Sequence, residues 1–386
     1  MGNDISVLVC DDSALMRNLI GRIIEGADGL CLAGKAMNGR FALEKLPRLN
    51  PDIIVLDLEM PEMNGIEFLK ERKKRGIDVP VVILSSLAKK GAEVTMEALS
   101  LGASDFIMKP SDTNTLHLDE IADSIVKTLL AYGKNYKGLP KRDDFYRKTT
   151  SGVSVKEPAA PVRTKTYQPS RPAPPTAANM YNFPPANKSR TITNRVELVV
   201  IGISTGGPNA LREVFKDIDK NLKVPVLVVQ HMPAGFTKEF ARSLDRICPL
   251  DVKEAEEGDL LKAGRVLIAP GSAHLKIERK KLAVVAHLED SDPVSGHMPS
   301  ADVLFSSASN AYGSNVLAVI MTGMGRDGAR EIGTLYNKGA ITIGQDEESC
   351  IVYGMPKVAH DAGYVQYQLP LNQIAGKISE VVAEKA

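Results

Sequence analysis

The sequence predicts an α/β protein made of two parallel-sheet units joined by a linker. Three observations carry this expectation. Apolar runs of strand length alternate with helix-length stretches over residues 4–132, and the alternation resumes over 195–386. Residues 133–194 interrupt it with prolines and basic side chains. Several apolar runs end on a carboxylate, a lysine, a serine or a histidine, which lines these groups along the carboxyl edges of the sheets, where open α/β folds bind ligands.

A chain of 386 residues suffices for two or more domains, and 44% hydrophobic with 25% charged content is that of soluble globular protein. A net charge of +1 creates no overall field for nucleic acid. No apolar run approaches the roughly 18 residues a membrane helix needs, so no membrane insertion is expected. Acidic residues soon after Met1 leave no signal-peptide layout. Met1–Ser6 matches a myristoylation spelling, but Ile5–Val9 reads as a core strand with no basic run behind it. Cys10, Cys31, Cys248 and Cys350 lie far apart without a C-x-x-C pair, which suits reduced thiols and a cytoplasmic location. Six scattered histidines make no metal-ligand spacing.

In the first unit the expected strands are Ile5–Cys10, Cys31–Ala36, Ile53–Leu58, Val79–Leu84 and Asp105–Met108. The helices between and after them are Ser13–Glu25 with Ser13 as N-cap, Gly39–Leu49, Gly65–Arg75, Gly91–Leu101 and Leu118–Tyr132. This alternation predicts a doubly wound (βα)5 parallel sheet. Asp11 and Asp12 follow its first strand, Asp57 sits in the third, Ser85 follows the fourth and Lys109 the fifth. Carboxylates converging at one edge repel one another unless a hard cation sits among them, and Mg²⁺ fits oxygen ligands of this kind. A carboxylate oxygen of Asp57 could then attack a phosphoryl donor, with Lys109 and the Ser85 hydroxyl holding the phosphoryl oxygens. A cis Lys109-Pro110 bond would aim the lysine inward.

Together with Asp57-Leu58-x-Met60-Pro61-x-Met63-x-Gly65 and Lys109-Pro110, these residues resemble the receiver domain of two-component response regulators over 4–132. The resemblance implies that Asp57 accepts phosphate from a partner histidine kinase. It also implies Mg²⁺ bound by Asp12, Asp57, the Glu59 backbone carbonyl and Asp11.

Eight prolines fall in Ser151–Arg190, and Lys134–Arg190 holds 12 Lys/Arg against 3 Asp/Glu. Such a composition cannot bury enough surface to order itself, so 133–194 reads as a flexible basic linker, either a spacer or a tether for an acidic partner.

The second unit opens on Leu198–Ala210, LVVIGISTGGPNA. The run Leu198–Ile201 reads as a buried strand, Gly206-Gly207 permits a tight turn, and Pro208 suits the first turn of a helix. Ser204 therefore sits where a strand turns into a helix, beside unpaired N–H groups, in the G-x-S-x-G spelling of a nucleophile elbow. A phosphate-holding turn is the alternative. Further strands are expected at Val226–Gln230, Val266–Ala269, Val316–Met321 and Ala340–Ile343, with a hairpin of Leu275–Glu278 and Ala283–His287 and a terminal helix that includes Ser379–Glu384.

A serine nucleophile needs a base. His231, directly after Val226–Gln230, is the candidate, with His274, His287, His297 and His360 as rivals. An imidazole in turn needs an acid to orient it, and Asp327 lies past the strand Val316–Met321 in a glycine-rich loop. That loop, Gly323–Gly328, also spells G-x-G-x-x-G with Asp346–Glu348 about 20 residues on, so a nucleotide-binding, non-hydrolytic output is the competing reading.

Gly202–Pro208, Gln230–Pro233, Ile268–Gly271, Pro299–Phe305 and Met321–Gly328 resemble the CheB-type chemotaxis methylesterase family over 195–386. The resemblance implies hydrolysis of γ-glutamyl methyl esters on chemoreceptor signalling helices, with methanol released, and deamidation of receptor glutamines. It gives Ser204 as nucleophile, His231 as base and acid, Asp327 as orienting carboxylate, the Met324 N–H in the oxyanion hole and Thr205 close to the histidine. It implies no cofactor in this unit, and an unphosphorylated receiver that covers the active-site edge through Leu99–Leu101 and Asp105–Lys109.

Overall fold

A computed structural model describes residues 4–86, 89–109, 115–137 and 183–386. Most of the expected linker (138–182), the first three residues and Pro110 lie outside the described residues.

The first unit comprises β1 (Ile5–Cys10), α1 (Ala14–Glu25), β2 (Leu30–Ala36), α2 (Gly39–Leu49), β3 (Ile53–Asp57), α3 (Gly65–Lys74), β4 (Val81–Ser85), α4 (Lys89–Ser100), β5 (Asp105–Met108) and α5 (Thr115–Lys137). Its five strands are all parallel, in the order β2-β1-β3-β4-β5. Strands β3 and β4 are buried along their whole length because helices cover both faces, which is why they read as unbroken apolar runs. Ser13 caps α1, accepting from the Met16 N–H, and Asn64 with Glu67 closes a reciprocal capping box on α3. Helix α5 runs to Lys137, past the boundary at 132 that the sequence suggested.

The second unit comprises β6 (Leu198–Ile203), α6 (Gly207–Asp217), β7 (Val226–Gln230), α7 (Phe236–Asp245), β8 (Asp251–Glu254), β9 (Arg265–Ile268), β10 (His274–Arg279) and β11 (Val284–Glu289). It continues with α8 (Ala301–Tyr312), β12 (Val316–Ile320), α9 (Ala329–Asn337), β13 (Ile341–Gln345), α10 (Met355–Asp361), β14 (Tyr367–Leu369) and α11 (Leu371–Lys385). Seven parallel strands run in the order β14-β13-β12-β6-β7-β9-β8, and β10-β11 forms the expected separate antiparallel hairpin. The edge strands β8 and β14 escaped the sequence reading because they are only three to four residues long and carry no apolar run. Strand order turns at β6: the chain goes from β6 to β7 on one side and returns as β12 on the other. Such a switch point leaves a crevice at the carboxyl ends of the strands.

Residues 183–194, inside the expected linker, pack against the second unit. The Tyr364 hydroxyl donates to the Pro184 carbonyl, and the Arg190 guanidinium lies 3.4 Å from the Tyr336 ring centroid. The unit's two ends meet, with the Val196 N–H donating to the Lys385 carbonyl at 2.7 Å.

One buried apolar cluster contains residues of both units. Phe106 of β5 stacks on Phe236 of α7, with centroids 5.1 Å apart and planes 7° from parallel. A pair of this geometry contributes about 0.5–1.5 kcal/mol beyond its buried area.

Gly271, just after β9, lies against the loop that follows His231. A Cβ there would stand 2.3 Å from the Pro233 carbonyl carbon and 2.4 Å from the Ala234 nitrogen. Both are backbone atoms and cannot yield cheaply. Gly271→Ala should therefore destabilise the second unit by about 1–3 kcal/mol, the usual cost of overpacking. Urea unfolding checks this, and an unchanged midpoint would show that the two loops can part freely.

Candidate active site

Strands β12, β6 and β7 are adjacent, so the residues just past their ends lie within side-chain reach of one another. Ser204 leaves β6 through a turn in which the Gly207 N–H donates to the Ser204 carbonyl at 2.7 Å and Gly206 has φ 79°. The Ser204 N–H donates to the Thr322 carbonyl at 3.0 Å. The β12 loop also closes behind the serine, since a Cβ on Gly323 would lie 2.8 Å from the Ser204 Cβ.

His231 Nδ1 lies 3.1 Å from Ser204 Oγ, and its Nε2 lies 2.7 Å from Asp327 Oδ2. A carboxylate only accepts, so Nε2 carries the proton and Nδ1 presents its lone pair to the serine hydroxyl. Asp327 is buried, and four donors converge on it: His231, the Ser300 hydroxyl (2.6 Å), the Ala301 N–H (2.6 Å) and the Asp302 N–H (3.1 Å). Three of these belong to the start of α8, whose free N–H groups suit an anion. Burial pushes the Asp327 carboxyl up, but the hydrogen bonds from His231, Ser300 and Ala301 outweigh it and hold the group below its usual range.

The rival histidines take other places. His297 stacks on His231, with centroids 3.8 Å apart and planes 13° from parallel, and its Nδ1–H donates to the Ser295 carbonyl. Burial, with His231 beside it, holds the His297 imidazole below its usual range. His274 is fully buried, accepting from the Ser300 N–H and donating to the Asp292 carbonyl. His287 faces Glu257 at the surface, and His360 is exposed in the last turn of α10. Thr205 lies beside His231 in the cavity described below, and its carbonyl accepts from the Thr322 hydroxyl. Met324 is half-buried, two residues past the carbonyl that takes the Ser204 N–H. Ser300 lies in Pro299–Phe305, a segment that the sequence singled out, and His297 was a rival base, but nothing local marked their contacts with Asp327 and His231. The carboxylate of Asp327 is turned into this cluster, so the Gly323–Gly328 loop presents no empty phosphate cradle and the nucleotide reading is not favoured.

The first unit closes over this edge. A cavity of about 320 Å³ is lined by Ser204, His231 and Pro208 on one side and Phe106, Met108 and Thr128 on the other. Asp105 Oδ2 accepts from the Gly206 N–H (3.0 Å), in the turn that carries Ser204, and from the Tyr132 hydroxyl (3.1 Å). The Asn209 side chain donates to the Ala103 and Ser104 carbonyls. Burial raises the Asp105 carboxyl despite these bonds.

At the carboxyl edge of the first sheet, one carboxylate oxygen from each of Asp11, Asp12 and Asp57 lies within 4.8 Å of the others. Lys109 Nζ is 2.7 Å from Asp57 Oδ2 and 3.2 Å from Asp11 Oδ2. Burial raises the Asp57 carboxyl; Lys109 pulls it down and Asp11 pushes it up. The Glu59 N–H donates to Asp57 Oδ1. The Ser85 hydroxyl lines the same small cleft but is bonded to the Thr95 hydroxyl of α4 at 2.7 Å. Asp11 Oδ2 is buried without a hydrogen bond, its nearby charge being Lys109, so the donor set suits a hard cation.

Comparison with known proteins agrees with both halves. A response regulator receiver domain model matches residues 7–119 and a CheB methylesterase model matches residues 199–378. Three relatives carry the name protein-glutamate methylesterase/protein-glutamine glutaminase. That of Treponema denticola is 54% identical over 99% of this chain and 100% of its own length. That of Treponema pallidum is 50% identical over 98% and 97%, and the second such protein of Koribacter versatilis 41% identical over 96% and 94%. The chain thus belongs to the protein-glutamate methylesterase/protein-glutamine glutaminase family, with a receiver domain at its head and a CheB methylesterase domain at its tail.

Proposed function

We propose that this protein hydrolyses glutamate methyl esters, and glutamine amides, on the cytoplasmic helices of chemoreceptors in chemotactic adaptation, and that phosphorylation of Asp57 switches it on. The observation that carries the reading is the continuous chain Ser204–His231–Asp327 at the ends of three adjacent strands, inside a cavity that the receiver closes. The regulatory unit expected at 1–132 extends with α5 to Lys137, the catalytic unit expected at 195–386 takes in residues 183–194, and the linker expected at 133–194 is shortened at both ends.

Ser204 Oγ attacks the ester carbonyl while His231 Nδ1 takes its proton. The carbonyl electrons move onto oxygen, where the Met324 N–H steadies the negative charge. The intermediate collapses, the C–O bond to the methoxy group breaks, and His231 returns the proton so that methanol leaves. Water repeats the sequence on the acyl-serine and frees glutamate; a glutamine substrate releases ammonia instead. Asp327 supports the imidazolium that forms in each half-reaction, with Thr205 beside it. The stacked His297, held toward its neutral form, lets that positive charge form without a like charge on its face.

In the receiver, Asp11, Asp12, Asp57 and the Glu59 carbonyl would hold Mg²⁺. When bound it neutralises charge on the incoming phosphoryl group. Asp57 accepts that group from a histidine kinase, and Lys109 and Ser85 bind its oxygens. Taking up this role draws the Ser85 hydroxyl away from Thr95 and so reaches α4. No described helix is long and apolar enough to cross a membrane, and the four cysteines are free thiols, both of which agree with a cytoplasmic enzyme.

Ser204→Ala should abolish methanol release from methylated receptor while leaving the fold intact, a loss of several orders of magnitude because triad members act as a unit. Wild-type turnover in that variant would remove Ser204 from the chemistry. Asp327→Asn should lower kcat by about 10⁴, the precedent in another triad enzyme, because an amide cannot hold the Nε2 proton in place. Retention of more than a tenth of the rate would mean that the α8 N-terminus orients His231 unaided. Asp57→Asn should keep the unstimulated rate and lose all response to a small phosphodonor. Equal stimulation of variant and wild type would place the control elsewhere.

A further inference from the structure

A second cleft, of about 540 Å³, separates α4 of the receiver from α6 and α7 of the catalytic unit. Glu93, Met96, Glu97 and Ser100 line it from α4, a spacing that puts both carboxylates on one helix face. Arg212, Arg242 and Arg246 line it from the other side. Arg242 is paired with Glu239 at 2.6 Å, and Glu97 faces Lys70 at 3.4 Å. Arg212 donates to the Ser243 hydroxyl and has no acidic partner among the described residues, and burial lowers its guanidinium from the usual range. Arg246 makes no side-chain hydrogen bond or ion pair with any described residue. Arginine charge thus stands against an acidic helix face, and among the described residues no ion pair crosses the gap.

We propose that the Arg212–Arg242–Arg246 face is the docking surface for an acidic helix of the substrate receptor, and that α4 occupies it in the closed protein as a surrogate for that helix. This rests on the methylesterase reading and deepens it. Three features argue for this occupant. The element seated over the arginines is itself a helix with glutamates four residues apart. A receptor segment processed by this enzyme bears glutamate side chains and gains a carboxylate at each turnover. Arg212 lies on the helix that starts at the nucleophile's turn, about 8 Å along its axis from Gly207 at 1.5 Å per residue. A carboxylate held there is one to two helical turns from the ester presented to Ser204. The receiver therefore covers the serine with β5 and the substrate's charge anchor with α4.

The test is co-sedimentation of the full-length, phosphodonor-treated protein with vesicles carrying the receptor in its glutamate form, a readout of binding that needs no turnover. Arg212→Ala with Arg246→Ala should weaken binding about tenfold and flatten its dependence on salt, as removal of one half-buried and one exposed charge predicts. Arg212→Lys with Arg246→Lys, which keeps the charge, should retain most of the affinity. Glu93→Gln with Glu97→Gln in the receiver should raise receptor binding by the unphosphorylated protein. Affinity unchanged in the alanine variant, wild-type binding indifferent to salt, or unphosphorylated binding unmoved by the glutamine pair would each overturn the proposal. Methanol release, measured separately, reports on the esterase reading, so binding without turnover would count against that reading and not against the docking surface.

Discussion

The structure of the active site depends on keeping one carboxylate charged in a place without water. Asp327 is buried, and an isolated carboxylate there would take up a proton. The start of α8 prevents this with a hydroxyl and two backbone N–H groups, leaving one lone pair on Oδ2 for His231. Everything downstream follows from that arrangement: which imidazole nitrogen carries the proton, which faces Ser204, and how the ring sits against His297. Ser300 is in turn held by His274, so a fully buried histidine that touches no reacting atom helps set the orientation of the one that does.

The strands that build the site were legible because they are buried on both faces and so read as uninterrupted apolar runs. Val226–Gln230 and the core of Val316–Met321 emerged almost to the residue; Ser204 and His231 were visible as polar groups immediately past such runs, and Asp327 as the carboxylate in the glycine-rich loop that follows one. What local sequence does not carry is partnership across long separations. His297 and His231 are 66 positions apart, and no periodicity indicates that they stack. The pairing of Ser300 with Asp327 depends on where α8 lands after a hairpin and a loop. The contact between Asp105 and Gly206 joins two domains across a linker, and its chemistry belongs to neither domain's own pattern.

The receiver's grip on the catalytic unit combines interactions of different kinds. Phe106 on Phe236 is apolar and insensitive to salt. Asp105 to Gly206 and Asn209 to the Ala103 and Ser104 carbonyls are short polar contacts that fix register. The facing charges of α4 and the arginines act over longer distances. The Ser85–Thr95 hydrogen bond ties the phosphorylation edge to the element that carries the acidic face. One hydroxyl pair and one helix thus lie between the Asp57 cleft and the acidic face of α4.

The catalytic unit begins and ends at one place, where the Val196 N–H meets the Lys385 carbonyl and the Lys385 ammonium reaches the Thr193 carbonyl. Adjacent ends make a domain portable, because it can be appended to or inserted into another chain with a single crossing point and no rearrangement inside. Within this protein the same closure means that tension or motion in the linker acts on the outside of a completed loop. A tug from the receiver side is borne by the ring of contacts around Val196 and Lys385 and by Arg190 against Tyr336. The serine turn lies on the opposite edge of the sheet, where the receiver touches it directly through Asp105 rather than through the linker.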